Sequence, residues 1–374
     1  MVSPLRRLWA AVVNDPLLLI LLAALAALLV FAPTPAGGFP AGYLRLVDWP
    51  TVAALTGLLA LTVGLDASGG LHRLGVWLLH FMHTERRTAL CLVLASAALS
   101  TVLTNDVALF VVVPLTLGVC RITGLPATKL VIFEALAVNA GSALTPIGNP
   151  QNIFLWQLSG SSFAGFVQHM LPLVAVLMGL LLALTWVVFH GTAPLVRSDD
   201  APPALDRPVL ITSLLLYVPF LIATDLRQAG WAAAAVLGVL ALLRPRLLLR
   251  LDWGLLLVFV LMFIDLRLLA GLGAVRDAIT ALDLSQPMRL YLAGIGASQL
   301  ISNVPAAIAL AEYSNDWRVL AYAVNVGGFG LMVGSLANLI ALRMAGDRRA
   351  WLGFHFYALP FLAAATAVGW WLLF

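Results

Sequence analysis

Charged side chains are scarce in this sequence of 374 residues. Asp, Glu, Lys and Arg together make up 10% of it, whereas hydrophobic residues make up 62% and the mean hydropathy is +1.02. A soluble globular protein needs more polar surface than this to cover its core, so the composition excludes that class. A net charge of +4 would suggest a nucleic-acid partner in a soluble protein. Here the basic residues lie between apolar segments, and we expect no nucleic acid to bind.

Cysteine is rare, and the common motifs of enzymes are missing. The two cysteines, Cys91 and Cys120, lie in apolar stretches without the spacing of a disulfide framework or a metal site. The sequence contains no Walker, HExxH or GxSxG motif. We therefore expect a protein that is not an enzyme and that needs no cofactor.

The sequence contains several long apolar runs. Pro16 to Phe31, Met170 to Phe189 and Gly353 to Phe374 approach the twenty or so residues that a bilayer core requires, and they do not alternate in polarity. They predict an all-α polytopic membrane protein in the cytoplasmic (inner) membrane, with the lipid bilayer around it. Arg6 and Arg7 precede the first run without a small-residue cleavage site, so we expect a retained first span with a cytoplasmic N-terminus.

One motif occurs twice. Residues 138–153 read VNAGSALTPIGNPQNI, and residues 324–340 read VNVGGFGLMVGSLANLI. At one constant offset of 186, the matching pairs are Asn139 and Asn325, Gly141 and Gly327, Gly148 and Gly334, and Asn152 and Asn338. A shorter motif precedes each copy, with Asn105 in the first and Asn303 in the second. In a membrane protein, such a duplication of interrupted apolar segments points to a transport site near the bilayer midplane.

Each copy predicts two interrupted elements. Residues 88–120 and 289–313 each read as two short apolar legs around a polar tip, which predicts re-entrant helical hairpins whose tips line a cavity. Residues 127–158 and 317–344 each contain an Asn- and Gly-rich interruption, with Pro as well in the first, that does not fit one regular helix. These segments are therefore expected to be broken transmembrane helices.

The repeated plan predicts two inverted repeats. Residues 1–190 form the first repeat, residues 191–207 a cytoplasmic linker, and residues 208–374 the second repeat. This layout has about nine crossings plus two hairpins and places most basic residues on the cytoplasmic side. It leaves the C-terminus external.

The interruptions supply ligands for ions. A broken helix leaves free N–H groups at one terminus and free carbonyl groups at the other, and asparagine adds polar atoms without a buried charge. We expect two symmetry-related cages for a cation, formed by Thr104, Asn105, Asn139 and Gly141, and by Ser302, Asn303, Asn325 and Gly327. The alternative is that these residues only pack helices together, but duplication at a fixed spacing favours binding.

Asp106 breaks the symmetry, because Val304 takes the matching position. A carboxylate at membrane depth could neutralise a bound cation or carry a proton. Alternatively, it caps the helix that starts near Val107, where the helix dipole also favours it. Both interpretations remain open at this stage.

Four other charged residues belong to the apolar part of the chain. Glu134 and Glu312 are expected to be interfacial or loop carboxylates. Asp265 and Arg267 lie in one apolar span, too close in sequence to face each other on a helix, so each needs another partner. For Arg267 a structural ion pair is the favoured role.

The motifs resemble the signature of the ion transporter superfamily, which includes divalent-anion sodium symporters, citrate-metal permeases and arsenite-efflux permeases. The resemblance covers nearly the whole chain and lies in residues 104–108 (TNDVA), 145–152 (TPIGNPQN), 302–305 (SNVP) and 334–338 (GSLAN). It implies a scaffold domain and a transport domain in each protomer, a homodimer, and elevator-type alternating access.

The resemblance also implies the positions of the binding sites. Na⁺ sites would lie at Thr104, Asn105 and Gly141, and at Ser302, Asn303 and the break that begins at Gly327. The resemblance extends the set of residues that bind substrate or ions to Thr145, Gly148, Asn149, Asn152, Gly334, Ser335 and Asn338.

The hairpin tips depart from the pattern of the carboxylate symporters, whose tips read Ser-Asn-Thr. Asp106 and Val304 replace the third residue, and an aspartate there would repel a dicarboxylate unless it is protonated or paired. We expect a secondary active transporter for a small carboxylate or inorganic oxyanion, coupled to Na⁺ or H⁺. The alternatives are an arsenite-type metalloid exporter or a sodium/proton antiporter that uses Asp106, and then a channel of the same fold.

Overall fold

The computed structural model describes residues 16–78, 82, 84–191, 204–347 and 350–374, and these residues form α-helices, two 3₁₀ segments and no β-strand. The helices up to the linker are α1 (Pro16–Phe31), α2 (Ala41–Leu44), α3 (Trp49–Ala67), α4 (Gly70–Leu78), α5 (Glu85–Val102), α6 (Asn105–Thr123), α7 (Ala127–Ser142), α8 (Pro150–Ser159) and α9 (Phe163–Val188). Those after it are α10 (Arg207–Asp225), α11 (Ala229–Leu243), α12 (Trp253–Ala270), α13 (Gly273–Ala281), α14 (Pro287–Ile301), α15 (Asn303–Ala311), α16 (Trp317–Val326), α17 (Leu336–Ala345) and α18 (Ala350–Leu373). The predicted all-α class is confirmed.

Five of the described helices, α3, α9, α10, α12 and α18, are long and apolar enough to cross a membrane. Most side chains of α9, α10 and α18 are not buried inside the protein, although these helices are apolar. An apolar face without a protein partner is stable in lipid and unfavourable in water. The helices therefore confirm the multi-pass membrane architecture. Residues 1–15, with Arg6 and Arg7, and residues 192–203 of the expected linker lie outside the described residues.

An Asp-Trp pair opens one membrane helix in each half of the chain. Asp48 accepts a hydrogen bond from the Thr51 N–H at 2.9 Å, and Asp252 accepts one from the Leu255 N–H at 2.8 Å. The indoles of the following residues, Trp49 and Trp253, each donate at 3.0 Å to the carbonyl five residues earlier. Asp is a good N-cap because its carboxylate satisfies a free N–H of the first turn, so α3 and α12 begin directly after Asp48 and Asp252.

The predicted breaks are present in both copies. α7 ends at Ser142 and α8 begins at Pro150, while α16 ends at Val326 and α17 begins at Leu336. Proline fits the first position of a helix because its missing N–H would have no partner there. Asn149 caps α8 through its side chain.

The legs of the first hairpin are longer than expected. α5 has 18 residues and α6 has 19, which gives each a length of about 27 Å, close to the thickness of a bilayer core. α5 starts at Glu85 because Thr84 accepts a hydrogen bond from the Arg87 N–H, and α6 starts at Asn105 rather than Val107. The argument for re-entrance from short legs is therefore wrong for this hairpin. In the second hairpin, α14 and α15 have 15 and 9 residues.

α7 lies at the centre of the fold. It packs against α5, α6, α9, α17 and α18, and every residue from 130 to 142 is buried. α7 and α5 lie close together, and a Cβ on Gly141 would be 2.6 Å from the Ala97 Cα. Only glycine fits there, which explains one half of the Gly141 and Gly327 match.

The charged residues of the apolar segments agree with the expectation at Arg267 and depart from it at Glu134. Glu134 is 1% exposed in the middle of α7, so the expectation of an interfacial or loop carboxylate is wrong, because five helices surround α7. Arg267 makes the predicted structural ion pair, with its Nε 2.8 Å from the Glu312 Oε1, and also donates to the Leu46 carbonyl. Asp265 is 4% exposed, and neither of its carboxylate oxygens has a partner among the described residues.

Candidate transport site

The asparagines of the two breaks pair with each other across the site. The Asn139 amide donates to the Asn338 Oδ1 at 2.7 Å, and the Asn325 amide donates to the Asn152 Oδ1 at 2.7 Å. The sequence offset of 186 converts the first pair into the second. Together with Asn149, these residues form the asparagine cluster, in which every member is at most 4% exposed.

The same amides also bind backbone carbonyls near the helix ends. Asn139 donates to the Ala135 carbonyl at 3.1 Å, and Asn325 donates to the Ala321 carbonyl at 2.8 Å. These are equivalent contacts, each one turn earlier in its own helix. The amide therefore stays fixed in the last turn before each break, where its carbonyl oxygen can face the other half of the chain.

Asn152 and Asn338 also bind backbone carbonyls within their own breaks. Asn152 donates to the Ser142 carbonyl at 3.2 Å, and Asn338 donates to the Gly328 carbonyl at 3.0 Å, again at equivalent positions. These carbonyls lie at the end of α7 and just after the end of α16, where no N–H of the same helix donates to them. The cluster thus satisfies backbone groups that a break would otherwise leave unpaired.

One position of the cluster differs between the copies. Asn149 caps α8, with its Oδ1 3.0 Å from the Asn152 nitrogen, and donates to the Ser142 Oγ at 3.1 Å and to the Asn325 Oδ1 at 3.0 Å. Ser335 takes the matching place at the start of α17, and its Oγ is buried without a partner among the described residues. A buried polar atom without a partner can bind a ligand, and each break has one, the Gln151 Oε1 in the first and the Ser335 Oγ in the second.

The first hairpin tip is attached to the first break. The Asn105 N–H donates to the Gly148 carbonyl at 2.8 Å, and the Thr145 hydroxyl donates to the Thr101 carbonyl at 2.6 Å. A Cβ on Gly148 would lie 2.8 Å from the Ser100 carbonyl oxygen, so glycine allows this contact. The structure therefore brings Asn105, Thr145 and Gly148 together as expected.

The second hairpin tip approaches both breaks. An ideal Cβ on Gly328 would lie 3.2 Å from the Asn303 Nδ2 and 3.5 Å from the Asn139 Oδ1. Ser302, before Asn303, has a φ of +74°, a conformation that costs a non-glycine residue about 1–3 kcal/mol and that often occurs at functional sites. The sequence placed Asn139 and Asn303 in separate cages, whereas the structure places both beside Gly328.

Asp106 occupies the second position of α6 and does not cap it. Thr104 is the N-cap residue, and the Asn105 side chain accepts the Asp106 N–H at 2.9 Å. The Asp106 Oδ1 is buried without a hydrogen-bond partner among the described residues. The capping interpretation is therefore wrong, since the carboxylate does not bind the first-turn N–H groups, and the oxygen remains available to a cation or a proton.

The termini of eight half-helices meet around the cluster. The N-termini of α6, α8, α15 and α17 carry the positive end of the helix dipole, which favours an anion. The C-termini of α5, α7, α14 and α16 supply carbonyl oxygens, which favour a cation. No lysine or arginine is among the buried polar residues of the described chain. An anion here would thus be held by N–H groups and by any cation bound beside it.

Gln299, in α14, is a site residue that the sequence analysis missed. Its Nε2 donates to the Gly327 carbonyl at 2.6 Å and to the Phe329 carbonyl at 3.0 Å, and its Oε1 accepts the Leu331 N–H at 2.7 Å. It connects the second hairpin to the second break, as Thr145 does in the first. A glutamine inside an apolar leg, three residues before Ser302, was the available signal.

Replacement of Gln299 by leucine is expected to reduce the transport rate about tenfold and to lower the free energy of unfolding by about 1–3 kcal/mol. The leucine fills a similar volume but leaves two carbonyls and one N–H of the break without partners. Unfolding in mixed detergent micelles and uptake in proteoliposomes measure the two effects. Gln228→Leu, at an exposed helix start, is the matched control. Equal behaviour of the two variants would contradict the role of Gln299.

Comparison with known proteins agrees with this architecture. The model of the CitMHS family, described as "Citrate transporter", matches residues 8–316. The chain is 50% identical over 345 residues to "Inner membrane protein YbiR" of Escherichia coli (strain K12), which covers 92% of this chain and 91% of that protein. It is 30% identical over 309 residues to "Uncharacterized transporter MJ0456" of Methanocaldococcus jannaschii, which covers 82% of this chain and 84% of that protein. The resemblance stated from the motifs is thereby confirmed, and the chain belongs to the citrate transporter family of the ion transporter superfamily.

Proposed function

We propose that this membrane transporter moves a small anion, a carboxylate or an inorganic oxyanion, across the inner membrane in company with Na⁺ or H⁺. The observation that carries the proposal is the meeting of four helix N-termini and four helix C-termini around the asparagine cluster. Such a site offers donors to an anion and carbonyl oxygens to a cation at the same place. The coupling ion neutralises part of the charge that the substrate brings into the membrane.

The equivalent contacts of the two breaks support an inverted-repeat design. The two Asn–Asn hydrogen bonds are related by one sequence offset, and so are the bonds from Asn139 and Asn325 to the carbonyls one turn earlier. A two-fold axis through the site would produce this pattern. We propose residues 1–190 and 208–374 as the repeats, with the linker and N-terminus cytoplasmic and the C-terminus external. The span layout adds about nine crossings plus two hairpins to the proposal. The family resemblance adds a homodimer and elevator-type movement of the half-helices against a scaffold.

The names of the relatives support the choice of substrate and location. The family description names citrate, which makes carboxylates the first candidates. The relative from Escherichia coli is named an inner membrane protein. Both inferences are made for this chain by similarity, and substrate uptake tests the first directly.

The second candidate function is a metalloid exporter or sodium/proton antiporter. The buried, unpartnered oxygen of Asp106 favours it, because such a carboxylate can exchange a proton for Na⁺. A channel of the same fold would differ from both, since its flux would not depend on a second ion gradient.

Uptake into proteoliposomes with imposed Na⁺ and pH gradients separates these functions. We expect accumulation of citrate, or of another anion from a panel of carboxylates, phosphate and sulfate, only when an inward ion gradient is present. Empty liposomes are the control. Arsenite movement or Na⁺/H⁺ exchange without anion uptake would favour the second candidate, and gradient-independent flux would favour a channel.

Asp106→Asn is expected to raise the Na⁺ concentration that gives half-maximal uptake about tenfold. The carboxylate lies in the first turn of α6, next to Asn105, and loss of one nearby charge weakens cation binding by about 1–2 kcal/mol. The Na⁺ dependence of uptake at fixed pH measures this effect. Unchanged Na⁺ dependence together with lost pH dependence would instead support the antiporter candidate.

A further inference from the structure

A second buried carboxyl group lies outside the candidate site. Glu134, in the middle of α7, is 1% exposed. The Thr116 hydroxyl, on α6, donates a hydrogen bond to its Oε1, while its Oε2 is buried without a partner among the described residues. Removing an ionised carboxylate from water with one oxygen unpaired is strongly unfavourable. A carboxylic acid in the same place carries no such charge, because the proton lies on the carboxyl group itself.

The Thr116 hydroxyl binds a neighbouring helix. Threonine hydroxyls in helices can also return to the carbonyl one turn earlier, as the buried Thr185 does to Leu181 at 2.7 Å in α9 and the half-buried Thr366 does to Leu362 at 2.8 Å in α18. The hydroxyl of Thr116 instead reaches across to α7. This contact fixes the carboxyl group of Glu134 in one position.

Glu134 shares its helix face with the first break. It precedes Gly141 by two turns, so the two residues lie on the same face of α7, about 10 Å apart along the axis. Asn139 belongs to the same helix. A proton on Glu134 therefore moves together with the first break whenever α7 moves. The charge of the Glu134 carboxyl group also acts electrostatically on any cation held at that break.

The groups around Glu134 do not supply a counter-charge. The helices packed against α7 carry these ionisable side chains in the described part of the chain: Glu85, Arg86, Arg87 and Cys91 on α5, Asp106 and Cys120 on α6, His169 on α9, Arg343 on α17, and His355 and Tyr357 on α18. Cys120 is close enough for an electrostatic interaction with Glu134. Arg86 binds the Phe189 carbonyl, Lys129 of α7 itself binds the Val188 carbonyl, and Arg343 is exposed. The described chain thus places no cation in an ion pair with Glu134.

We propose that Glu134 is a proton-binding site of this transporter, positioned by Thr116, and that its proton is bound and released during the transport cycle. The proton site follows from the burial and the contacts of Glu134. Its link to the cycle rests on the proposed function.

Infrared spectroscopy of the full chain in liposomes tests the proton site without any substrate. We expect a carboxylic-acid C=O band that disappears as the pH is raised and that Glu134→Gln lacks. Glu312→Gln makes the same chemical change at a partly exposed carboxylate paired with Arg267, and it should keep the band. A band that persists unchanged in Glu134→Gln would overturn the proposal.

Two variants of Thr116, the hydrogen-bond donor, test the proposal even if Glu134→Gln does not fold. Thr116→Val removes the hydroxyl, so the C=O band should move to higher wavenumber, whereas Thr116→Ser keeps the hydroxyl and should leave the band in place. Identical bands in these two variants would contradict the assignment to Glu134.

The transport cycle supplies the last test. With citrate as the probe, Glu134→Gln should make uptake at least tenfold less sensitive to external pH while the Na⁺ dependence is kept. Unchanged pH sensitivity would refute a role in the cycle. If the wild type transports no anion of the panel, the proposed function fails while the infrared result stands; if the wild type shows no such band, the proton site fails whatever is transported.

Discussion

Asn325→Ala is expected to reduce transport about 100-fold or more while the protein still reaches the membrane. The Asn325 amide donates to the Asn152 Oδ1 and to the Ala321 carbonyl, and its Oδ1 accepts from Asn149. Alanine removes three buried hydrogen bonds and leaves the Asn152 Oδ1 without a donor, at a cost of about 1–3 kcal/mol for that oxygen. The two breaks then lose their alignment, and misplacement of binding groups by about 1 Å is enough for a loss of this size. Initial rates of uptake in proteoliposomes measure it.

The matched control is Asn315→Ala, which removes the same side chain from an exposed loop position. It should transport at the rate of the wild type. A rate for Asn325→Ala within a few-fold of this control would contradict the central role of the asparagine cluster.

Double-mutant cycles test whether the two cross-pairs are equivalent. The pairs Asn139 with Asn338 and Asn325 with Asn152 have equal donor–acceptor distances of 2.7 Å. We therefore expect similar coupling energies, within the range of about 0.5–3 kcal/mol that is typical of residues in contact. Unfolding of single and double alanine variants in mixed micelles gives these values. Additive effects within either pair would show that its hydrogen bond does not stabilise the fold.

Gly148→Ala is expected to abolish transport, about 100-fold or more, through steric conflict at the first break. The new Cβ would lie 2.7 Å from the Ser142 Cα and 2.8 Å from the Ser100 carbonyl oxygen. Both neighbours are backbone atoms, which cannot rotate away, so the loop must move, at a cost of about 1–3 kcal/mol. The Gly148 carbonyl also accepts the Asn105 N–H at 2.8 Å, so the shift separates the first tip from the break. Uptake rates and thermal unfolding in detergent measure both effects.

Gly118→Ala is the control for this substitution. Gly118 lies in α6, and a Cβ there would meet no atom within 4 Å. Alanine is also a better helix former than glycine, so the control should unfold at the same or a higher temperature. Equal transport by Gly148→Ala and Gly118→Ala would mean that the first break is not closely packed.

The positions of the breaks and tips could be predicted from the sequence because they depend on local chemistry. Gly148 and Pro150 belong to a cluster of helix-breaking residues, which interrupts a helix where the single prolines of α9 and α18 do not. Asp48 and Asp252 cap helices through their own side chains. The length of the first hairpin was predicted wrongly for a local reason too. The expected hairpin began at residue 88, although the charged residues Glu85 to Arg87 fit the first turn of α5 after the cap Thr84.

The partners of buried polar side chains could not be predicted in this way. The sequence indicated that Asn139 and Asn325 were important, but it did not indicate that each would bind an asparagine of the other copy. It gave Gln299 no role, and it placed Glu134 at an interface. In each case the decisive neighbour lies on another helix, often more than a hundred residues away.

The sequence by itself determined that this is an all-α membrane protein with a duplicated, interrupted motif, because hydropathy and backbone constraints act over a few adjacent residues. Only the tertiary structure decided which half-helix ends meet, which asparagines pair, and which carboxyl groups are removed from water. Those outcomes depend on the packing of helices far apart in the chain, and at Glu134 that packing buries a carboxyl group in the middle of α7.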